Sequence, residues 1–150
     1  SGGRVSAEIS PIPYANDLGF RLLSISARGA EFELASEERF MGNPLLRAFH
    51  GGVICGFMEC AMSETVMRIL GYDAQPRLIN LTTSFLGSAQ VDQALRVETE
   101  VTKAGRRFVG VYARSYQGSV DRIVAKASAL FRVSEGSPAP SFGERGHGGG

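Results

Sequence analysis

Glu59 is the residue best suited to chemistry in this sequence, because it is the only acid in an apolar run, residues 52–62, that follows His50-Gly51. The run has the composition of a buried helix. A carboxylate taken out of water needs hydrogen-bond partners, or a raised pKa that leaves it neutral. The nearest basic residue along the helix is Arg68, more than two turns away. Either Glu59 lies in a wetter place than the pattern indicates, or it abstracts a proton or attacks as a nucleophile.

The elements that must position Glu59 are one long helix and a series of alternating strands. His50-Gly51-Gly52 leads into about five turns of helix that end near Gly71. Period-two alternation predicts strands at residues 20–26, 30–35, 78–85, 95–101, 108–116 and 121–133. Because the helix is too uniformly apolar to lie on a surface, we expect an α+β domain in which an antiparallel sheet wraps this central helix.

The 150 residues, of which 43% are hydrophobic, are enough for one compact domain. We place an N-terminal extension at residues 1–14 and the domain at residues 15–133. Residues 134–150 are rich in Gly, Ser and Pro, a composition that predicts a disordered tail.

Charge and composition argue against several classes of partner. The formal charge is +1, from 16 basic and 15 acidic residues that are spread along the chain, so nucleic acid is not an expected partner. No apolar stretch has the length of a membrane span or the features of a secretory signal, and we expect a soluble, cytoplasmic protein.

The spacing of Cys55 and Cys60 suits neither a disulfide nor a metal site, and each is best interpreted as a small buried hydrophobic residue.

Asn43, His50-Gly51-Gly52, Glu59 and Ser63, on this layout of strands around one helix, resemble the hotdog-fold acyl-CoA thioesterases. The resemblance covers roughly residues 15–133. In that family a His-Gly-Gly at the start of the long helix precedes an acidic residue nine positions after the His. The phenylacetyl-CoA-pathway branch usually has Asp there, whereas a 4-hydroxybenzoyl-CoA thioesterase type has Glu and, four residues later, a hydroxyl. Glu59 and Ser63 are similar to the second.

The resemblance implies a role for each of these residues. Glu59 would act as general base or nucleophile, and the Gly51 amide would stabilise the thioester oxyanion at the helix N-terminus. Ser63 would orient the carboxylate or a water molecule, and Asn43 would hold the thioester oxygen or that water. Structural interpretations stay open, since Gly51 and Asn43 also suit turns and Ser63 can bond its own helix. His50 lies about 13 Å from Glu59 along the axis, so we interpret it as organising the turn.

Coenzyme A thioester is the implied substrate, with no cofactor and no metal. Its phosphates call for cationic residues, and Arg106 and Arg107 are the candidates, with a solvated turn as the alternative. Gly52 would also contact the substrate. Phe85 would line the acyl cleft, together with Phe57, Met58 and Met62, unless these side chains are plain core.

Gly51 and Glu59 are separated by about 12 Å of helix, too far for both to act on one thioester carbon. We therefore predict a homodimer in which each site takes its acid from one chain and its glycine amide from the other. Pairing of dimers into tetramers stays open.

Two other functions remain as alternatives. One is a non-catalytic acyl-CoA-binding hotdog protein. The other is a hotdog dehydratase, because Phe40-Met41-Gly42-Asn43-Pro44 resembles a stretch of the β-hydroxyacyl dehydratases. The catalytic His of that family is replaced here by Arg39, which cannot exchange a proton near neutral pH, so the dehydratase is the less favoured.

Overall fold

Antiparallel strands surround one long helix in the part of the chain that the computed structural model describes, residues 20–35, 41–43, 48–49, 51–71 and 76–134. The elements in chain order are β1 Phe20–Ile25, β2 Gly29–Leu34, β3 Met41–Asn43, β4 Ala48–Phe49, α1 Gly51–Leu70, β5 Arg77–Phe85, β6 Leu95–Ala104, β7 Phe108–Tyr116 and β8 Ile123–Arg132. Six strands form one sheet in the order β1-β2-β6-β7-β8-β5, and β3 pairs with β4. The predicted α+β hotdog architecture is confirmed.

The strand predictions hold because alternation separates the two faces of the sheet. On β2, Phe32 and Leu34 are fully buried toward the helix, whereas Glu31 and Glu33 point to the other face. Arg21 on β1 donates through Nε to Glu33 Oε1 at 3.0 Å on that outer face. The sheet therefore has one dry side and one side of paired charges.

The dry side of the sheet is covered by α1, which contacts β2, β5, β6, β7 and β8. Phe57, Met58 and Met62 are fully buried, so these three side chains are core and do not line a cleft. Phe57 meets the ring of Phe20 edge-on at 5.7 Å between centroids, and Phe20 stacks on Phe32 at 4.9 Å. Each such side chain contributes about 2 kcal/mol through burial alone.

The helix ends where the sequence predicts. Gly71 has a φ of 102°, and its N–H donates to Met67 O at 2.7 Å. A left-handed residue after the last turn satisfies an otherwise unpaired carbonyl, and glycine takes that conformation without strain.

The two-stranded ribbon of β3 and β4 is not among the predicted elements. Met41 pairs with Phe49 and Asn43 with Ala48 directly before the helix. Strands of two and three residues are too short to show alternation, so the sequence shows only that the alternation of the preceding strand stops here. Residues 1–14 and 135–150 lie outside the described part of the chain, and the predicted extension and tail stay predictions. No helix among the described residues is long and apolar enough to cross a bilayer.

Gly29 is the glycine at which a side chain conflicts most directly with the sheet. A Cβ there would lie 2.1 Å from the backbone oxygen of Thr99 on β6, an atom that cannot move without breaking the β2–β6 ladder. We expect Gly29→Ala to lower the free energy of unfolding by about 2 kcal/mol or more in urea denaturation. The control is Gly87→Ala, whose new Cβ comes no closer than 3.9 Å to Ile123 O. Equal stability of the two variants would contradict the β2–β6 register.

Candidate functional site

The first turn of α1 is open to solvent. Gly51 and Gly52 are exposed, and the first N–H groups of any helix have no partner within the helix. Among the described residues, a Cβ at Gly52 would meet nothing within 4 Å, and one at Gly51 would meet only the ring of Phe85, at 3.7 Å. Because Phe85 ends β5 and Gly51 begins α1, the two elements run antiparallel. The structure thus brings together two residues that the sequence analysis assigned to the substrate site.

Glu59 is exposed, which agrees with the alternative that this carboxylate lies in a wetter place than the apolar run indicates. Helix geometry puts it about 12 Å along the axis and about 80° around it from Gly51. That rotation carries it away from Phe57, which faces β1, and past β5, the last strand of the sheet. No hydrogen bond or ion pair to Glu59 exists within the described residues. An apolar run therefore does not bury every face of its helix, because the sheet stops at β5.

The acid that α1 does bury is Glu64, five residues later. Its side chain is 1% exposed, and Arg68 Nε lies 2.7 Å from its Oε2, one helical turn on. A buried carboxylate requires such a partner. Arg68, the basic residue nearest to Glu59 along the helix, pairs with Glu64.

Ser63 lies one turn after Glu59 on the same face of the helix and is half-buried. In the described part of the chain its hydroxyl has no hydrogen-bond partner. Thr65 is the residue whose hydroxyl bonds back to the helix, at 2.8 Å from Ala61 O. The arrangement leaves Ser63 available to the Glu59 carboxylate.

Asn43 is placed at the Gly51 end of the helix by the small ribbon, since its pairing partner Ala48 comes three residues before Gly51. The side chain of Asn43 lies outside the described part of the chain, and so does the whole of His50. Their predicted roles stay predictions.

Several arginines lie close together at the end of the sheet that is remote from Gly51. Arg77 on β5 is opposite Arg132 on β8, which is opposite Phe108 on β7, so the three side chains form one row across the sheet. The Arg132 guanidinium lies over the Phe108 ring at 5.8 Å. The turn with Arg106 and Arg107 adjoins this row, because Val133 N–H donates to Arg107 O at 2.8 Å. We call Arg77, Arg106, Arg107 and Arg132 the arginine end.

Arg132 and Phe108 were missed by the sequence analysis. Arginines so far apart in sequence become neighbours only through the strand order, and no local spacing shows it.

Arg77 and Arg106 have no ion-pair partner among the described residues. Within one chain, the arginine end is separated from Gly51 by the whole of β5, about 26 Å. A single chain therefore does not unite the predicted phosphate ligands with the predicted oxyanion donor.

A cavity of about 590 Å³ opens on the outer face of the sheet, away from α1. Glu31, Glu98 and Arg114 are among the residues that line it. Arg114 pairs with Glu98, and Arg96 lies 3.9 Å from Glu31, so both carboxylates have a cationic partner. The cavity contains none of the predicted site residues.

Comparison with known protein families shows the family to which this chain belongs. The family of the acyl-CoA thioesterase N-terminal domain matches residues 43–132, more than half of the chain. This chain belongs to the acyl-CoA thioesterase family. The matched segment includes Asn43, Gly51, Glu59, Ser63 and the arginine end. Comparison with curated proteins gives no match.

Solved structures support the same fold for this thioesterase-family chain. A phenylacetic acid degradation-related protein from Ralstonia eutropha is 27% identical, with a TM-score of 0.72, over 83% of this chain and 92% of that one. A conserved protein from Pseudomonas aeruginosa is 24% identical with a TM-score of 0.73, covering 81% and 94% of the two chains. A thioesterase from Haemophilus influenzae is 13% identical with a TM-score of 0.74, covering 83% and 85%.

The two cysteines of this family member lie in different environments. Cys60 is 6% exposed, as expected for a buried hydrophobe, and Cys55 is half-buried. Burial, followed by the charges of Glu59 and Glu64, raises the pKa of the Cys60 thiol from 9.0 to about 12. Because the thiolate is the nucleophile, Cys60 is inert in the folded protein near neutral pH.

We expect iodoacetamide to alkylate Cys60 at pH 8 about a thousandfold more slowly in the native protein than in guanidinium chloride, where the thiol regains its ordinary pKa. A Cys55→Ala variant isolates the Cys60 signal, and peptide mass spectrometry measures the rates. Similar rates in the native and unfolded states would show that Cys60 is not buried as described.

Proposed function

We propose that this chain is an acyl-CoA thioesterase, which hydrolyses a coenzyme A thioester to the free acid and coenzyme A. The observation that carries the proposal is that the same helix exposes two groups, an amide at its start and a carboxylate further along. Gly51 presents its amide at the positive end of α1, and Glu59 presents a carboxylate that has no hydrogen bond or ion pair among the described residues. The reaction needs no cofactor, and coenzyme A enters only as part of the substrate.

The chemistry follows from these two groups. Glu59 removes a proton from water while the water oxygen bonds to the thioester carbon, or the carboxylate itself attacks and water later hydrolyses the anhydride. Either route moves negative charge onto the carbonyl oxygen, where the Gly51 N–H and the helix dipole stabilise it. The carbon–sulfur bond then breaks. When Glu59 acts as the base, the proton that it holds passes to the coenzyme A thiolate. When Glu59 acts as the nucleophile, the thiolate leaves first and takes up the proton that is released when water hydrolyses the anhydride to the free acid and the Glu59 carboxylate. The Ser63 hydroxyl, which has no hydrogen-bond partner among the described residues, orients the carboxylate.

A second chain supplies the missing half of the site. β5 is a nine-residue edge strand, and Ile79, Phe85 and Leu86 are large apolar side chains that stay exposed along it and at its end. A long open edge with exposed apolar residues is a surface for strand pairing. The opposite edge, β1, has six residues and a bulge between Leu22 and Ser24, so it is less suited to pairing. We therefore place the dimer contact at β5.

Two-fold symmetry makes this pairing antiparallel, so the Arg77 end of one β5 lies toward the Phe85 end of the other. The arginine end of one chain then approaches the partner's Gly51, which it cannot reach within its own chain. Guanidinium groups bind phosphate through paired hydrogen bonds, and an arginine stacked on an aromatic ring suits a nucleotide. We propose that the arginine end holds the nucleotide of coenzyme A, with Arg106 and Arg107 as phosphate ligands.

The test of catalysis is thiol release from a panel of acyl-CoAs. We expect Glu59→Ala to lower kcat/KM by about a hundredfold or more, since that is the usual contribution of a general base or nucleophile. The matched control is Glu100→Ala, which removes an exposed acid on the outer face of the sheet and should leave the rate unchanged. If wild type binds acyl-CoA without releasing thiol, the protein is a binder. Preferential hydration of an enoyl-CoA would instead indicate a dehydratase.

The shared site is tested by mixing two inactive variants. Gly51→Pro deletes the proposed oxyanion donor, and proline is well tolerated at the first position of a helix. Co-refolding equal amounts of Gly51→Pro and Glu59→Ala chains makes half of the dimers mixed, each with one intact site, so about a quarter of wild-type activity should return. Mixed dimers that stay inactive would show that each chain builds its own site.

The nucleotide contact is tested with substrates that lack the nucleotide. We expect Arg106→Gln and Arg132→Gln each to raise KM for an acyl-CoA about tenfold, because each removes a charge-assisted hydrogen bond or a stacking contact. The same variants should not change the hydrolysis of the corresponding N-acetylcysteamine thioester. Arg21→Gln, at the opposite edge of the sheet, is the control. Equal effects on both substrates would move the nucleotide site elsewhere.

A further inference from the structure

Gln117 is a completely buried polar residue that neither the sequence analysis nor the proposed chemistry uses. It follows the last residue of β7, and its side-chain amide makes three hydrogen bonds to backbone. Oε1 accepts from Gln90 N at 2.9 Å, and Nε2 donates to Gln90 O at 2.7 Å and to Gln93 O at 2.9 Å. Both amide hydrogens are thus used. Gln117 pairs with Gln90 through an N–H and a C=O, as a neighbouring strand would.

All three bonds go to one segment, residues 86–94, which connects β5 to β6. The start of this connection is held separately, because Leu86 N and Gly87 N both donate to Val124 O, at 2.7 and 3.2 Å. Ala89 and Val91 are buried in the core. The connection is therefore anchored on both sides of Ser88, and Gln117 supplies the polar anchor.

The connection begins beside two large apolar side chains that a single chain leaves exposed, at the end of the β5 edge proposed for the dimer contact. Phe85 is 50% exposed and Leu86 is 56% exposed, and the ring of Phe85 lies against Gly51 at the helix start. We call Phe85 and Leu86 the apolar lip. Adjacent exposed apolar side chains next to a free helix N-terminus mark a binding surface for an apolar group. Holding them rigidly avoids the entropy cost of ordering them when a ligand binds.

We infer that Gln117 is a positioning residue for acyl-chain recognition, which acts through the connection to hold the apolar lip beside the Gly51 amide. The inference rests on the proposed function, because it takes the group beside the lip to be the acyl chain of a coenzyme A thioester. Gln117 does not touch this chain. Without the three hydrogen bonds of Gln117, the connection is still held from the β8 side, by Val124 O and the pairing of Phe85 with Ala125, but the lip is then less firmly positioned.

The test is a double-mutant cycle between Gln117 and the lip, measured by calorimetric binding of two thioethers that cannot be hydrolysed, S-octyl-CoA and S-methyl-CoA. We expect Gln117→Met, which keeps the side-chain length, to weaken S-octyl-CoA binding about fivefold and to leave S-methyl-CoA binding unchanged. In a Phe85→Ala, Leu86→Ala background, the same change should alter S-octyl-CoA binding by less than about twofold. Gln117→Glu, which keeps the acceptor for Gln90 N, replaces Gln117→Met if that variant does not fold.

Ser115→Ala is the matched control for general destabilisation. Ser115 is also fully buried on β7, and its hydroxyl donates to Arg96 O at 3.1 Å, away from the connection. It should leave the affinity for both thioethers unchanged. An effect of Gln117→Met that is the same with and without the lip, or that Ser115→Ala reproduces, would overturn this inference alone. Failure of the wild type to bind either thioether would overturn it together with the proposed function.

Discussion

The packing of α1 on the dry face of the sheet is the interaction on which the other features of this molecule depend. Phe57, Met58 and Met62 lose all contact with solvent there, and Phe57 joins the aromatic contacts of Phe20 and Phe32. Because these contacts hold the helix along its length, they also fix its rotation about its own axis. The rotation that buries Phe57 also turns Glu59 outward and brings Gly51 beside Phe85. The candidate site is thus a consequence of the core.

The end of the sheet at β5 is the second determining feature. Because the sheet ends at β5, the outward face of the helix carries Gly52 and Glu59, which are exposed, and Ser63, which is half-buried. An acid in that position is tolerated because water solvates it. In the proposed dimer, the partner's strand and substrate would take the place of that water.

The neighbours of a carboxylate in sequence do not show whether it is buried. Glu59 and Glu64 lie on the same apolar helix, yet Glu64 is the buried one and is stabilised by Arg68 one turn later. A rotation of about 140° separates them around the helix axis, and only contact with the sheet decides which side is dry. Gln117 is a further example, because its three backbone partners lie in a connection distant in sequence.

The sequence by itself determined the long helix with its end at Gly71, the six strands of the main sheet, the α+β class and the family, since alternation, helical periodicity and the His-Gly-Gly spacing are local patterns. It also determined the distance between Gly51 and Glu59, because helix rise is constant. Only the tertiary structure decided that Glu59 is exposed and that Phe57, Met58 and Met62 are core. It also decided that Arg132 and Phe108 adjoin Arg77. These outcomes depend on strand order and helix rotation, which arise from contacts between residues far apart in sequence.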